Sequence, residues 1–323
     1  MDPKAPEFME VVRELRMRSV PEPPELHAQL NNVLNPHYWR GLNPRMTVCG
    51  SERPETVEIA DFEISGLERA LQMLSTYGYF QIPPIIAGPA VDKMKMCFEV
   101  TLAAGWHPVF VFVYDEFWRA FRGPALVRFL TGALGEDYRQ LPYCWGHFVP
   151  ADSKGWRPHV DGPSTYNKLT LWLPLNDVTL ENSCMYVVPR NPETQQISDQ
   201  FWSKKSFDLS ESLTLLQNTK ALPAVAGSFL GWGQHLIHWG TTSGPLAPSR
   251  ISISVEFTSR PSDPLDDQSS LLEAHPGAPL PSLNARLNLI ARAIESYERY
   301  FDPGLLPHLA LAKQITRHTT RES

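Results

Sequence analysis

Residues 251–257 read Ile-Ser-Ile-Ser-Val-Glu-Phe, a segment in which apolar and polar side chains alternate. Successive side chains of a β-strand point to opposite faces, so this segment predicts a strand with one apolar and one polar face. Other short segments are rich in aromatic or β-branched residues and are bounded by Gly, Pro or Asn; they cover residues 143–149, 169–175, 185–188 and 227–232. Short strands at this spacing are typical of an antiparallel double-sheet jelly roll.

Helical patterns lie on both sides of this β-rich region. Residues 19–60 are punctuated by proline and are predicted to be irregular, and residues 79–82 are predicted to form a strand. Apolar periodicity with Gly or Pro stops predicts helices at 7–18, at 67–77, at 89–104, twice within 115–134, at 284–300 and in a tail from Gly304 onward.

The expected fold class is therefore an all-β core with flanking helices. It is a double-stranded β-helix of the jelly-roll, cupin-like type, with a helical N-terminal region and C-terminal helices. Residues 1–60 are expected to form an irregular N-terminal extension with a short helix, residues 61–262 the jelly-roll domain with its preceding helices, and residues 263–323 a C-terminal helical segment.

The composition excludes several classes of protein. The chain has 29 basic and 35 acidic residues and a formal net charge of -6, without a block of Lys or Arg, so neither a nucleic acid nor a membrane surface is an expected partner. No apolar run reaches membrane-spanning length and no secretory signal is evident, which predicts a cytoplasmic protein. The four cysteines are far apart and are expected to be buried free thiols rather than a metal or redox motif.

Two potential metal ligands stand two residues apart in Trp-Arg-Pro-His-Val-Asp-Gly, residues 156–162. In a strand His159 and Asp161 would share one face, because the side-chain period is two. Two histidines and one carboxylate can occupy one face of an iron(II) ion and leave three coordination positions open. Taken alone, a His-x-Asp pattern is also common in surface turns, so its weight depends on a third ligand.

The third ligand is predicted to come from Trp-Gly-Gln-His-Leu-Ile-His-Trp-Gly, residues 232–240. His235 and His238 are three residues apart and would point to opposite faces of a strand, so both cannot readily bind one metal. His238 is preferred, and His235 is expected to cap a turn or to lie on the outer face.

Arg250 opens the alternating strand, with Ser252 two residues later on the same face. A buried guanidinium needs an anionic partner, and its fork binds a carboxylate with two hydrogen bonds. The partner is either a bound carboxylate or one of the chain's own acids; beside a metal site, the bound carboxylate is the favoured interpretation.

These motifs together carry a family resemblance. His-Val-Asp at 159–161 is followed by Leu-Trp-Leu-Pro-Leu-Asn-Asp-Val-Thr-Leu-Glu-Asn-Ser-Cys-Met-Tyr-Val-Val-Pro at 171–189, and then by His238 and Arg250; Tyr-Gly-Tyr-Phe-Gln-Ile-Pro at 77–83 precedes them. The pattern resembles the phytanoyl-CoA dioxygenase family of iron(II)- and 2-oxoglutarate-dependent oxygenases over roughly residues 60–260. Ser183 replaces the family's usual Gly, and Arg-Asn-Pro at 190–192 replaces its usual Gly-Ser-His.

The resemblance implies iron(II), 2-oxoglutarate and O₂ as cofactor and co-substrates. His159, Asp161 and His238 would hold iron, and Arg250 with Ser252 would bind the far carboxylate of 2-oxoglutarate. In the family the tryptophan that matches Trp172 lies beside 2-oxoglutarate, and Thr170, on the same strand face, joins it as a candidate co-substrate residue. Because Asp161 is retained, where halogenating relatives have a small residue, the implied reaction is hydroxylation or desaturation.

The substrate pocket is expected to be lined by aromatic side chains. Tyr143, Trp145 and His147 share a strand face, and Trp239 flanks His238. Packing of these side chains in the core remains the alternative. The substrate is expected to be a small or medium organic molecule; nothing in the sequence indicates the oligomeric state.

Two other functions stay open at this point. One is a metal-dependent isomerase or hydrolase on the same barrel without 2-oxoglutarate, and Arg250 with Ser252 disfavours it. The other is a non-catalytic ligand-binding barrel, which is disfavoured because ionisable groups gathered in a pocket are costly without a metal.

Overall fold

The computed structural model describes residues 23–50, 63–162, 167–204, 206–259, 271–275, 277–297 and 306–319. Within these ranges the chain forms antiparallel sheets and helices, as predicted. The helix predicted at 7–18 lies outside the described residues. No helix in the described ranges is long and apolar enough to cross a membrane.

The helices are, in chain order, α1 (Pro23–Leu34), α2 (Pro36–Leu42), α3 (Ile64–Tyr77), α4 (Gly88–Ala103), a 3-10 helix (Pro108–Val113), α5 (Asp115–Arg119), α6 (Pro124–Leu134), α7 (Pro192–Phe201), α8 (Leu209–Asn218), α9 (Leu283–Tyr297) and α10 (Leu306–Thr319). The strands are β1 (Tyr79–Ile82), β2 (Arg139–Val149), β3 (Lys168–Pro174), β4 (Met185–Val187), β5 (Lys220–Leu222), β6 (Phe229–Gly233), β7 (His238–Gly240) and β8 (Arg250–Thr258). The strands form a five-stranded sheet in the order β1-β6-β3-β8-β2 and a three-stranded sheet in the order β5-β4-β7.

The alternation along β8 determines which face of the large sheet is apolar. Ile251, Ile253, Val255 and Phe257 are all buried on one face. The opposite face carries the side chains that stand between them in sequence, beginning with Arg250. The apolar face and the polar face predicted from residues 251–257 are thus both confirmed. The polar face is directed toward the small sheet.

The core between the sheets joins side chains from both. Trp172, Leu230 and Trp232 of the large sheet belong to the same buried cluster as Met185 and Leu222 of the small sheet. On the other side of the large sheet, the Phe80 ring lies over Gly231, where an added Cβ would approach Phe80 Cε1 to 2.3 Å. Glycine at that position therefore lets an aromatic ring pack directly on the sheet.

The connection between α3 and β1 depends on Gly78. Its φ of 81° lies in the left-handed region, and its backbone N–H caps the helix by donating to Leu74 O. A Cβ added there would come within 2.9 Å of side-chain carbons of Arg190 and Leu236. The predicted stop of the helix at Gly78 is confirmed.

The structure corrects three expectations. Residues 23–42, expected to be irregular, contain α1 and α2, the latter beginning with an Asn35 side chain that accepts from His37 N. Residues 190–212, for which the sequence suggests a loop, contain α7 and the first residues of α8, and each helix has an N-terminal capping box. Cys49 is free but exposed, whereas Cys97, Cys144 and Cys184 are free and buried as expected.

The chain divides into two compact units. One consists of residues 56–96 and 118–279 and contains both sheets; the other gathers residues 1–55, 97–117 and 280–323. Inside the second unit, Arg286 donates to Asp115 Oδ1 over 2.6 Å, and that carboxylate also accepts from the backbone N–H groups of Cys49 and Gly50. The three sequence segments expected at 1–60, 61–262 and 263–323 remain a prediction.

Candidate metal centre

A backbone bridge brings the two halves of the candidate site together. His159 N donates to His238 O over 3.1 Å, and His238 N donates to His159 O over 2.9 Å. The two rings consequently lie side by side, with centroids 4.3 Å apart. Asp161 is fixed by a second backbone contact, from its N–H to Gln234 O over 2.8 Å.

The predicted ligand atoms converge. Asp161 Oδ1 lies 3.5 Å from His238 Nε2 and 3.8 Å from His159 Nε2. All three ligand atoms lie within 4.8 Å of one another, and within the described residues this is the one group of at least three His, Cys, Asp or Glu side chains with such spacing. His235 is not part of this group; it lies in the turn between β6 and β7.

Both histidines present Nε2 to the same point. Nδ1 of His238 lies 2.9 Å from Leu236 O, and Nδ1 of His159 lies 2.8 Å from Arg157 O. A carbonyl can only accept, so these contacts assign the proton to Nδ1 and leave the Nε2 lone pair for a metal. Burial lowers the pKa of His238 to about 4, although the neighbouring Asp161 carboxylate acts in the opposite direction. The His238 ring is thus neutral at neutral pH, the form that binds a metal.

The second oxygen of Asp161 is held by the large sheet. Asp161 Oδ2 accepts from Thr170 Oγ1 and from Trp232 Nε1, each over 3.0 Å. The Trp232 ring also packs on the His238 ring at 4.4 Å. The structure therefore places Thr170 against the Asp161 carboxylate; its role beside the co-substrate stays a prediction.

Arg250 is buried without an acidic partner among the described residues. Its Nη1 donates to Ser183 O over 2.6 Å and lies 3.7 Å from Met185 Sδ, and its guanidinium lies over the Trp172 ring at 5.7 Å. Arg250 Nε and Ser252 Oγ are both buried and find no hydrogen-bond partner in the part of the chain that the structure describes. Burial lowers the pKa of Arg250 to about 10, so the group remains charged at neutral pH.

A buried charge with an unused donor requires an anion to stabilise it. Arg250 and Ser252 lie on the same face of β8, so a single carboxylate can reach both. Ser183 takes part through its backbone: its φ is 70°, in the left-handed region that favours glycine, and its hydroxyl donates to Thr241 O. Glycine would adopt this conformation without strain, and the serine that stands here gains the hydrogen bond to Thr241 O.

The predicted aromatic wall lies on the same face of the large sheet. Tyr143 and Trp145 stack with ring centroids 6.2 Å apart and planes 8° apart. His147 Nε2 lies 3.2 Å from Ser254 Oγ. All three side chains are partly exposed, whereas Cys144 between them is buried on the opposite face.

Trp239 is placed away from this wall. It is adjacent to His238 in β7, so the two side chains point to opposite faces. The Trp239 ring stacks on Tyr186 at 5.7 Å and packs with the cluster of Val160, Val188 and Ile237. Its role in the substrate pocket stays a prediction.

Two residues of the site were missed by the sequence reasoning. The indole hydrogen bond from Trp232 to Asp161 joins residues 71 positions apart, so nothing local in the sequence indicates it. Glu256 lies on the same face of β8 as Arg250, and its Oε1 accepts from Trp145 Nε1 over 3.0 Å. The period of two in β8 was the signal that could have identified Glu256.

No protein-family model and no curated protein matches the chain. Among solved structures, it is similar to apo ThoJ, described as a non-heme monooxygenase, with a TM-score of 0.52 and 14% identity over 79% of this chain and 100% of that one. It is also similar to the epimerase SnoN in complex with Fe3+, alpha ketoglutarate and nogalamycin RO (TM-score 0.48, 17% identity, 68% and 95% covered). A third is HygX from Streptomyces hygroscopicus with nickel and 2-oxoglutarate bound (TM-score 0.46, 14% identity, 59% and 86% covered). The likeness to ThoJ shows a shared fold; the other two are too distant to carry an argument.

Proposed function

We propose that the chain is an iron(II)- and 2-oxoglutarate-dependent oxygenase that hydroxylates or desaturates an unactivated C–H bond of a small or medium organic molecule. The observation that carries the proposal is the pairing of two features between the large and the small sheet. A 2-His-1-carboxylate set converges on a point, and Arg250, a buried arginine with an unused donor, lies beside Gly240 of β7, the strand that carries His238. The phytanoyl-CoA dioxygenase family and a jelly roll closed by the two sheets remain our assignments for family and fold.

The residues present fit the groups that this function requires. Two imidazoles and one carboxylate are the facial donor set of non-haem iron(II) oxygenases. The unpartnered Arg250 Nε and Ser252 Oγ fit the far carboxylate of 2-oxoglutarate, with Trp172 as the neighbouring wall. The shared fold with a protein described as a non-heme monooxygenase supports the same assignment.

Bound iron with 2-oxoglutarate and O₂ would supply the oxidising chemistry, with succinate and CO₂ as by-products. The chain's own residues would bind the iron and the 2-oxoglutarate and orient them. His159 and His238 direct Nε2 inward because Nδ1 is tied to the backbone, and Asp161 directs Oδ1 inward because Oδ2 is held. Arg250 fixes the co-substrate end that does not react. Trp232, packed on His238, excludes water from the ligand side of the site.

The test is an anaerobic titration of the metal-free protein with Fe(II) and then with 2-oxoglutarate, followed by an assay for succinate in air. We expect one iron per chain, binding of 2-oxoglutarate only after iron, and slow succinate formation even without substrate. The Asp161→Ala variant is the matched control and should bind neither. An iron-loaded protein that does not bind 2-oxoglutarate would exclude this function and favour an isomerase or hydrolase.

A further inference from the structure

Trp156 lies where strand β7 passes the buried arginine. A Cβ added to Gly240 would lie 3.0 Å from Arg250 Nη1 and 3.5 Å from Trp156 Cδ1, so both side chains approach the same bare stretch of backbone. The two side chains differ in exposure, since Arg250 is 1% exposed and Trp156 is 37% exposed. One edge of the indole therefore lies near the guanidinium, while another part of the side chain reaches solvent.

The position of Trp156 is fixed by its backbone and by its ring. Trp156 N donates to Gly240 O over 2.8 Å. The preceding residue, Gly155, has a φ of 63°, and a Cβ there would approach Thr241 O to 2.0 Å, so glycine is needed for this close approach to the end of β7. The Trp156 ring meets the His147 ring edge to face, with centroids 6.4 Å apart. The indole is therefore held beside Arg250 by contacts on both sides of its Cα.

The affinity of Arg250 for a carboxylate depends on how well water is kept away from the pair. Opposite charges attract more strongly in a medium of low dielectric constant, and buried pairs are screened much less by salt than exposed ones. The Trp172 ring, which lies 5.7 Å from the guanidinium, is only 2% exposed, so the core covers that side. Trp156 is the neighbour of Arg250 that is itself in contact with solvent, so its ring is positioned to exclude water.

We propose that Trp156 shields the pair between Arg250 and the far carboxylate of 2-oxoglutarate from solvent, and is thereby a positioning residue for the co-substrate. This inference rests on the proposed function, since it takes the anion at Arg250 to be 2-oxoglutarate. Trp156 stands three residues before His159 in the chain. One short segment thus supplies a metal ligand and also covers the arginine.

The shield can be tested without metal or co-substrate. Phenylglyoxal modifies accessible guanidinium groups, and mass spectrometry of the peptide that contains Arg250 measures the extent of modification. We expect Arg250 to be protected in the unmodified protein, to keep most of this protection in Trp156→Phe and to lose it in Trp156→Ala. Trp202→Ala is the matched control: it removes a tryptophan that is 59% exposed and should leave Arg250 protected.

Calorimetry on the anaerobic protein loaded with Fe(II) then measures 2-oxoglutarate binding at about 0.05 M and about 0.5 M NaCl. We expect Trp156→Ala to weaken binding roughly tenfold and to make the dissociation constant rise more steeply with salt than in the unmodified protein. Trp156→Phe should restore most of the affinity, and Trp202→Ala should behave like the unmodified protein. Iron affinity should change little, because the backbone bridge between His159 and His238 is kept.

The outcomes separate this inference from the function on which it rests. An unmodified iron-loaded protein that does not bind 2-oxoglutarate would overturn the function, and with it the role of Trp156 toward this co-substrate. Intact binding would leave the function standing. The shield alone would then be overturned if Arg250 stayed equally protected in Trp156→Ala, or if that variant bound 2-oxoglutarate with unchanged affinity and salt dependence. If Trp156→Ala does not fold, Trp156→Leu, which also lacks the ring, takes its place in both measurements.

Discussion

Asp161 uses its two oxygens for different purposes. Oδ1 faces the histidines, while Oδ2 accepts from Thr170 and Trp232. A carboxylate fixed in this way offers one oxygen to a metal and cannot rotate to offer both. Groups that orient a ligand in this manner typically contribute a factor of 10–100 in metal affinity.

Removal of the indole donor should therefore weaken metal binding. In Trp232→Phe the ring that packs on His238 is largely kept, but Asp161 Oδ2 loses one of its two donors. We expect iron affinity to fall about tenfold to a hundredfold, measured by competition with a chelator. Trp239→Phe is the control, because that ring stacks on Tyr186 on the other face of β7. Equal losses in both variants would mean that the indole hydrogen bond to Asp161 has no specific role.

The choice between two nearby histidines can be tested directly. His238→Ala should abolish Fe(II) binding because it removes a converging Nε2, whereas His235→Ala should largely preserve it. Iron content after anaerobic loading is the measurement. If His235→Ala lost iron while His238→Ala retained it, the ligand assignment would be wrong.

Arg250 should control co-substrate affinity with little effect on iron. A charge-assisted pair with a carboxylate contributes roughly 1.5–3 kcal/mol, so Arg250→Ala should raise the dissociation constant for 2-oxoglutarate about tenfold to a hundredfold. Arg250→Lys should recover only part of this, because lysine lacks the planar fork. Calorimetry on the iron-loaded protein checks both variants, and unchanged affinity in Arg250→Ala would contradict the assignment.

Residue spacing predicted the convergence of His159, Asp161 and His238, although His159 lies at an isolated bridge and Asp161 in a bend rather than in the expected strand. Residue spacing could not predict the hydrogen-bond partner of Thr170. That hydrogen bond depends on where the loop before β3 places Asp161. Trp239 illustrates the same limit of sequence-based prediction. It is next to His238 in sequence, and neighbouring residues in a strand point to opposite faces.

At the scale of elements, most strands and helices were predicted, but β5, β7, α1, α2, α7 and α8 were not. β8 was found because its alternation extends over the whole segment, and α3 because its apolar periodicity ends in glycine. β5 and β7 each have only three residues, too few to show a period. The signals for α7 and α8 were present as capping boxes at Asn191 and Asp208, but prolines and polar residues around them favoured a loop.

A buried histidine in helix α10 leads to a prediction about how stability depends on pH. His308 is 8% exposed and lies against Phe110 and His107, at 5.9 Å and 6.2 Å between ring centroids. Burial, and then the charge of His107, lower the pKa of His308 from 6.5 to about 4. Protonation therefore favours the unfolded chain, so the stability that neutral His308 contributes is complete above pH 6.5 and is lost as the pH falls toward 4.

At pH 5 this loss should reach about 2 kcal/mol relative to pH 7. Urea unfolding at the two pH values measures it. In His308→Leu, which cannot be protonated, the acid loss should shrink by a similar amount, and in His37→Leu, where the histidine is exposed, it should not change. An identical pH dependence in the unmodified protein and in His308→Leu would refute the role of this histidine.

For the whole molecule, the order of segments along the chain does not give the compact units. The unit without the sheets is assembled from residues 1–55, 97–117 and 280–323, three segments that are distant from one another in sequence. Arg286 and Asp115 illustrate the reason: the ion pair inside this unit joins residues 171 positions apart. Composition and periodicity describe local segments, and only tertiary packing selects which distant segments come together.

The type of reaction product depends on the whole metal site. In the proposed iron site Asp161 would fill the third facial position and leave a halide no stable place, so we expect oxygen insertion or desaturation even in high chloride. Asp161→Gly would open that position but would also leave Thr170 Oγ1 and Trp232 Nε1 without their acceptor, and we expect it to be inactive rather than halogenating. Once a substrate is identified, mass spectrometry of products formed in chloride and bromide buffers makes the distinction. A product that gains one oxygen or loses two hydrogens would support the assignment, and a halogenated product from the unmodified protein would show that Asp161 does not occupy the metal.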